Sequence, residues 1–294
     1  TNPKKTGATP LSRFTNDFIT HEEVVEGIAG FTTAITVKET NVNYTGIKVT
    51  VTVTDGKITN IKYSYAFDAT LALKAGITIN GNGYAIKGLK APLFGTTNAK
   101  IKGLHLTELN AEWATYAKAG AFAAQLTEGG VLSHCSAEGK IHINNTTYAE
   151  KVQRQQYDFI YGGLVGLTTG ATIEHCENNA DITITSVCSQ SVAGSNFYGF
   201  SFGGVVGAAD LVEGGNPTSI THAVNRGAIL INNTSPLSRG YYWMGGVFGQ
   251  TIADNSLSAF SHCYNYGNIS TKKDCPLPAL RLGGVFGDLA TNTI

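Results

Sequence analysis

Hydrophobic and polar residues alternate with a period of two over residues 47–67, IKVTVTVTDGKITNIKYSYAF. The alternation runs on both sides of Asp55-Gly56, a strong signal for a two-residue turn, so this segment predicts a β-hairpin. Upstream, residues 20–23, THEE, have the form of a helix capping box, and the hydrophobic positions that follow stop at Gly30. That pattern predicts a short amphipathic helix.

Beyond residue 76, the hydrophobic positions come in short, glycine-punctuated groups that repeat. The motif GGLVG begins at Gly162, and its variants begin at Gly203, Gly245 and Gly283, with spacings of 41, 42 and 38 residues. Weaker copies of this glycine motif read AGAFA, from Ala119, and APLFG, which ends at Gly95. A second motif follows each copy and reads LSHCSAEGKIHI from Leu132, IEHCENNADITI from Ile173, ITHAVNRGAILI from Ile220 and FSHCYNYGNIS from Phe260. Tandem copies with two matched motifs indicate a repeat architecture.

Each repeat predicts short strands joined by tight turns. Asn178, Asn225 and Asn265 precede a small residue by two positions, and Asn and Gly both tolerate the left-handed backbone conformations that turns require. A β-helix coil of about 20 residues would place two stacked coils in each repeat, one for each motif. The sequence therefore predicts an all-β fold, a right-handed parallel β-helix (a solenoid) of two-coil repeats. A β-propeller, whose blades also take about 40–45 residues, is the alternative.

The two kinds of pattern divide the chain into two regions. Residues 1–75 are predicted to form an N-terminal cap that contains the short helix and the hairpin, and residues 76–294 the β-helix. A cap is needed because the open end of a coil exposes unpaired strand edges. The chain stops at Ile294 just after another GGVFG, which predicts that the native protein continues or that this end is covered.

The glycine motif and the second motif together resemble the GLUG-motif repeats of bacterial surface and secreted proteins. Proteins of that family are adhesin-like or carry the repeats in the N-terminal regions of IgA-peptidase-type proteins. The resemblance covers about residues 90–294 and departs from the usual pattern in having His before Cys. It implies a secreted or cell-surface protein of bacterial type, and it supplies no catalytic residue.

Composition narrows the possible functions further. The formal net charge is zero and only 14% of the residues are charged, so the sequence lacks the basic footprint of nucleic-acid binding. No apolar stretch approaches the roughly 18 residues that a membrane span needs. The chain begins at Thr1, which predicts that a leader has been removed or was not included. Five cysteines are too few for a disulfide-built scaffold.

Both repeated motifs invite a chemical interpretation that their recurrence argues against. A phosphate-cradling glycine loop needs a helix after it, and no helix pattern follows these copies. If equivalent residues lie two coils apart, about 9–10 Å, His175 and His222 cannot share a metal ion, and Cys135 and Cys176 cannot form a disulfide. We therefore predict structural roles, with neither metal nor cofactor. The face occupied by the histidines stays open; they are His134, His175, His222 and His262.

Aromatic residues cluster before each glycine motif. Two registers that also accept Leu or Met are predicted to be core, namely Phe159, Phe200, Tyr242 and Leu280 in one and Tyr161, Phe202, Met244 and Leu282 in the other. Residues outside these registers, in or beside the variable loops, are the predicted ligand contacts, because one face of a solenoid usually carries binding. This predicted site consists of Tyr157, Tyr198, Tyr241, Trp243, Arg154 and Asp158.

The sequence therefore predicts a non-catalytic extracellular binding or structural module of an adhesin-like surface protein. Its partner would be a glycan or a host or bacterial surface protein, bound through the face that carries the loops. A polysaccharide lyase or glycoside hydrolase is the first alternative, but hydrolysis needs two carboxylates about 5–9.5 Å apart, and acidic residues are sparse here. A self-assembling filament subunit is the second alternative.

Overall fold

The structure, a computed structural model, describes residues 21–29, 47–54, 57–65, 76–145, 159–187, 199–232, 241–253, 256–272 and 280–289. All elements among these residues are β-strands. The chain divides into two compact units, Thr1–Asp68 and Ala69–Ile294.

The first unit contains a three-stranded antiparallel sheet in the order β1-β3-β2, built from β1 His21–Ala29, β2 Ile47–Thr54 and β3 Lys57–Tyr65. The predicted hairpin is confirmed, because Thr54 lies opposite Lys57 and only Asp55-Gly56 connects the two strands. The predicted helix is wrong, because its residues form strand β1. A single short helix is marginal in water, whereas β-branched Val24 and Val25 favour a strand that can pair with β3.

The second unit consists of three parallel sheets stacked in register, the arrangement of a parallel β-solenoid. Sheet I contains β9 Lys118–Ala119, β13 Phe159–Gly162, β16 Gly199–Gly203, β20 Tyr241–Gly245 and β25 Leu280–Gly283. Sheet II contains β6 Phe94–Thr97, β10 Ala123–Leu126, β14 Val165–Thr169, β17 Val206–Asp210, β21 Phe248–Thr251 and β26 Phe286–Asp288.

Sheet III holds the remaining strands of the solenoid and is the longest side of each coil. It contains β4 Thr78–Asn80, β5 Ala85–Lys87, β7 Lys100–Lys102, β8 His105–Trp113, β11 Val131–Ser133, β12 Ser136–Asn145, β15 Thr172–Val187, β18 Thr218–Asn225, β19 Ile229–Ile231, β22 Leu257–Ser261, β23 Tyr264–Asn265 and β24 Ile269–Thr271. The described strands of the solenoid pair in parallel, whereas propeller blades are antiparallel, so they do not fit the propeller alternative.

Each repeat forms one coil, which passes through sheets I, II and III in turn. Equivalent residues of successive repeats are therefore direct neighbours: Ile173 pairs with Ile220, and Phe159 pairs with Phe200. The prediction of two coils per repeat is wrong. A coil here is longer than about 20 residues because its sheet III side is long, as in β15 with 16 residues, and because residues between sheet III and the next sheet I strand add to its length.

The glycine motif joins a strand of sheet I to a strand of sheet II and packs against the turn asparagine of the second motif. A Cβ on Gly163 would lie 2.7 Å from Cγ of Asn178, and a Cβ on Gly204 would lie 2.6 Å from Cγ of Asn225. These separations are shorter than side chains tolerate, so the asparagine requires glycine beside it. The two motifs are thus two halves of one packing contact.

The asparagines themselves form a buried ladder along the solenoid. Asn178 Nδ2 donates to Asn225 Oδ1 at 2.7 Å, and Asn225 Nδ2 donates to Asn265 Oδ1 at 2.8 Å. In the preceding coil, Ala137 replaces the asparagine, and Ala121, which donates its N–H to Gly163 O, replaces the second glycine. The weak copy AGAFA is therefore in register with the glycine motif from its second residue, not from its first alanine.

The core lies inside the three-sided coil and also between sheets I and II. The predicted aromatic registers are confirmed as core for Phe159, Phe200, Tyr242, Tyr161, Phe202 and Met244, which are at most 4% exposed. Leu282, in the last described coil, departs from this and is 46% exposed. Ile160, on the opposite face of sheet I, packs against Leu167 and Ala208 of sheet II.

Candidate functional site

The predicted loop site falls almost entirely outside the described residues. Arg154, Tyr157, Asp158 and Tyr198 lie there, and for Tyr241 the structure describes the backbone at the start of β20 but not the side chain. The involvement of these five residues in binding stays a prediction.

Trp243 was predicted to be an exposed contact residue, but it is only 8% exposed. It pairs with Ser201 and Arg281 in a row that also includes Ile160. That row faces sheet II: Ile160 packs on Leu167, and Arg281 Nη1 lies 2.6 Å from Asp288 Oδ2. The prediction of exposure is wrong because sheet I is covered on both of its faces.

The four histidines form a column on the exposed outer face of sheet III. Ring centroids are 4.8 Å apart for His134 and His175, 4.4 Å for His175 and His222, and 4.6 Å for His222 and His262, and the rings are stacked. Each histidine has a left-handed backbone, with φ between 52° and 55°, and Gly103 has the same conformation at the equivalent place in an earlier coil. Histidine is among the few side-chain-bearing residues that favour this conformation.

The column does not have the geometry of a metal site. Its rings are separated by about 4.5 Å, not by the predicted 9–10 Å, so distance is not what prevents a shared ion. The obstacle is direction, because imidazole lone pairs lie in the ring plane, and those of stacked rings run parallel without converging. Within the described ranges, no group of three or more His, Cys, Asp or Glu side chains is placed to hold a metal ion.

The environment of the column lowers the pKa of His222 below its ordinary value. Desolvation is the largest cause, followed by repulsion from the imidazoles of His175 and His262, while Glu174 acts in the opposite direction. A histidine with a lowered pKa in the folded state favours its neutral form. Its contribution to stability is therefore present above the unfolded pKa of about 6.5 and is lost as the pH falls through the folded value.

We expect an NMR pH titration to give a pKa for His222 below that of a free histidine. Replacing His175 with Asn, which tolerates the same backbone conformation, should raise the pKa of His222 toward its ordinary value because one repelling neighbour is gone. Replacing His105, a half-buried histidine that lies outside the column, provides the control. An unchanged pKa of His222 in the His175→Asn variant would contradict the proposed repulsion.

Beside the column, two tyrosines form an exposed aromatic platform on the same face of sheet III. Tyr264 is 49% exposed and Tyr266 is 65% exposed, and their rings stack with centroids 6.1 Å apart and planes inclined by 20°. The guanidinium of Arg226, one coil earlier, lies 4.9 Å from the centre of the Tyr266 ring and forms an ion pair with Glu177. We call these four residues the tyrosine platform.

The sequence contained a signal for this platform that went unused. Cys263 and Asn265 occupy the inward positions of the repeated motif, so the alternation of a strand places Tyr264 and Tyr266 outward. The equivalent outward positions in earlier copies carry polar residues or valine, which hid the aromatic pair. The left-handed backbone at the histidine makes a corner in the strand. Which positions of the motif point inward could be assigned only once that corner was known.

The platform offers two kinds of interaction to a ligand. The tyrosine rings provide a rigid, flat, apolar surface with polar hydroxyls, and Arg226 and Glu177 supply donors and acceptors at its edge. Two acidic residues on this face have partners: Glu177 is paired with Arg226, and Asp181 Oδ1 accepts a hydrogen bond from the N–H of Ala228 at 2.9 Å. This arrangement fits adsorption of a polar ring better than acid–base chemistry.

The cysteines also lie closer together than predicted. Cys135 and Cys176 occupy the same position in adjacent coils, since their flanking residues pair directly, and both are buried thiols. The argument that two coils separate them is wrong. Ala223 follows Cys176 in the same column, and Cys263 follows Ala223. Cys188 and Cys275 lie outside the described residues.

No protein-family model matches the sequence, and no curated protein is significantly similar to it. The resemblance to GLUG-motif repeats stays a prediction. Among the described residues, no helix is long and apolar enough to cross a membrane.

Proposed function

We propose that the protein is an extracellular binding module of an adhesin-like surface protein, a right-handed β-helix that recognises a glycan through the outer face of sheet III. The tyrosine platform is the observation that carries this proposal. A right-handed coil is the hand expected when parallel strands of one sheet are joined by crossovers. The GLUG-like motifs support a surface location.

Exposure of the two tyrosines needs a functional reason. Large aromatic side chains left adjacent and about half exposed bury little surface, and such exposed apolar patches often mark interaction sites. Tyr264 and Tyr266 stand on a parallel sheet, which fixes their spacing without cost at the moment of binding. A sugar ring presents an apolar C–H face and a rim of hydroxyls, which match the tyrosine rings and the flanking Arg226 and Glu177, respectively.

A glycan-array screen followed by titration tests this proposal. We expect binding without product release, and we expect the Tyr264→Ala, Tyr266→Ala double variant to raise the dissociation constant about five- to 150-fold, at about 0.5–1.5 kcal/mol per aromatic contact. The matched control is Tyr84→Ala, since Tyr84 is 71% exposed but lies on an early turn of the solenoid.

Two results would overturn the proposal. One is equal glycan affinity in the double variant and the wild type, which would place the site elsewhere. The other is release of cleaved sugar from a bound polysaccharide, which would favour the lyase or hydrolase alternative.

A further inference from the structure

Cys135 and Cys176 are stacked on one another in the interior of the solenoid. Both are 1% exposed. Ser133 pairs with Glu174 before them and Ser136 pairs with Glu177 after them, so the two cysteines are held in register from both sides. The backbone carbonyl of Cys135 also accepts the N–H of Glu177 at 3.0 Å.

The spacing of adjacent strands suits a covalent link between these thiols. Neighbouring strands of a sheet lie about 4.7–4.9 Å apart, within the range of about 4.4–6.8 Å that separates the Cα atoms of disulfides, and an approach of a few tenths of an ångström brings the Cβ atoms within the required distance of about 4.5 Å. The side chains also take the same direction: Sγ of Cys135 lies 3.2 Å from the carbonyl oxygen of Ser133, and Sγ of Cys176 lies 3.2 Å from that of Glu174. The sulfurs are therefore superimposed along the solenoid axis.

The two stacked thiols differ in acidity in the folded protein. The pKa of Cys135 is lowered, chiefly because the Cys176 thiol donates to it. Burial raises the pKa of Cys176 well above its ordinary value. Cys135 is therefore the more acidic thiol of the folded pair, and thiolate is the attacking form in thiol–disulfide exchange.

We propose that Cys135 and Cys176 form a disulfide that links two adjacent coils when the chain folds in the presence of a disulfide oxidant. During folding, before the coils bury the pair, the thiolate of one of the two cysteines attacks oxidised glutathione and releases one glutathione thiolate, leaving a mixed disulfide. The other cysteine then loses its proton to solvent, attacks the cysteine sulfur of the mixed disulfide and releases the second glutathione. Two cysteine thiols are oxidised, and one glutathione disulfide is reduced to two thiols.

The same column contains an internal comparison. Ala223 lies between Cys176 and Cys263, so Cys263 has no thiol in the coil before it at this position. Because no thiol lies beside it in the preceding coil, we expect Cys263 to stay reduced under conditions that oxidise Cys135 and Cys176. The Ala223→Cys variant would give Cys263 a neighbouring thiol and should allow a new link.

The test is to refold the full chain from urea in a buffer of reduced and oxidised glutathione, since both thiols are buried once the coils have formed. Cysteines that remain free are then alkylated in denaturant, and peptides are mapped by mass spectrometry without reduction. Circular dichroism confirms folding, and a sample refolded with a phosphine reductant is the reduced control. Replacing Cys188 and Cys275 with Ser in a second preparation removes competing partners.

We expect a cross-linked peptide that contains Cys135 and Cys176, lacks two hydrogen atoms and disappears on reduction, together with complete alkylation of Cys263. In a Cys135→Ala, Ala223→Cys variant, we expect the link to move to a pair that includes residue 223. Folded protein in which Cys135 and Cys176 are both alkylated would overturn the proposal, as would a disulfide joining either one to a different cysteine.

Discussion

The Gly204→Ala variant is expected to be strongly destabilised, by about 3 kcal/mol or more, or to fail to fold. A methyl group at this position would overlap the backbone carbonyl of Gly246 in the next coil and would lie 2.6 Å from Cγ of Asn225. Neither atom can move away cheaply, because the carbonyl is backbone and the asparagine is held by three hydrogen bonds within the ladder. The change should be measured as the loss of thermal and urea midpoints by circular dichroism.

The chain provides a matched control at the same place in the motif. Gly284 follows Gly283, which pairs with Gly245, so it is equivalent to Gly246 and Gly204, but a Cβ there would meet no atom within 4 Å. The Gly284→Ala variant should therefore lie within about 1 kcal/mol of the wild type. Equal midpoints for both variants would show that contact across coils is not what requires glycine at this position.

The repeat in the sequence predicted the architecture but not the number of residues in a coil. Motif spacing and β-type triplets indicated a parallel solenoid, and the parallel sheets of the structure agree with that. The length of a coil depends on how long each side is and on the segments between sides, and no local pattern encodes this. The pairing of Ile173 with Ile220 settles it because equivalent residues touch.

The error over coil length carried through to the predictions about chemistry. With two coils per repeat, His175 and His222 were expected to lie about 9–10 Å apart, too far to share a metal ion, yet their rings stack. The recurrence of glycine and asparagine was recognised as structural, but their mutual contact was not, because Gly163 and Asn178 are separated along the chain by a whole sheet. Ala121 and Ala137, which replace them together in the preceding coil, were the sequence signal for that contact.

The predicted exposure of Trp243 is wrong because the alternation of side chains along a strand cannot show which faces of a sheet are covered. Trp243 departs from the two predicted core registers, and on a sheet with one solvent face it would be exposed. Sheet I is instead sandwiched between the interior of the coil and sheet II, so every described residue of β13 is buried. Exposed aromatic residues are found on sheet III, whose outer face is uncovered at Tyr264 and Tyr266.

The N-terminal strand β1 shows a different limit of local patterns. A capping box specifies how a helix could begin, but it does not supply the packing that a short helix needs. The hairpin formed by β2 and β3 leaves one edge of β3 free to pair, and the residues of β1 fill it in antiparallel register. The hairpin was predictable because its turn and alternation are both local, whereas the third strand depends on that partner.

The Asn225→Asp variant is expected to lose about 3–5 kcal/mol of stability at neutral pH, although the two side chains have nearly the same shape. Asn225 is fully buried, donates to the carbonyl of Gly227 at 3.0 Å and to Asn265 Oδ1 at 2.8 Å, and accepts from Asn178 Nδ2 at 2.7 Å. A carboxylate retains only the last of these bonds. The two acceptors that Asn225 now donates to, the carbonyl of Gly227 and Asn265 Oδ1, would then face a buried negative charge.

The pH dependence of this variant separates lost hydrogen bonds from a simple packing defect. Burial and the facing acceptors should raise the pKa of the introduced carboxyl above its unfolded value of about 3.9. The folded variant then binds the additional proton, so its stability deficit is complete above the folded pKa and shrinks as the pH falls toward 3.9. Urea midpoints of variant and wild type, measured from pH 8 to pH 4, should converge at the acidic end.

The control is Asn268→Asp, an identical change at an exposed position, which should stay within about 0.5 kcal/mol of the wild type throughout. A deficit at Asn225 that does not vary with pH would contradict the hydrogen-bonded ladder as its cause.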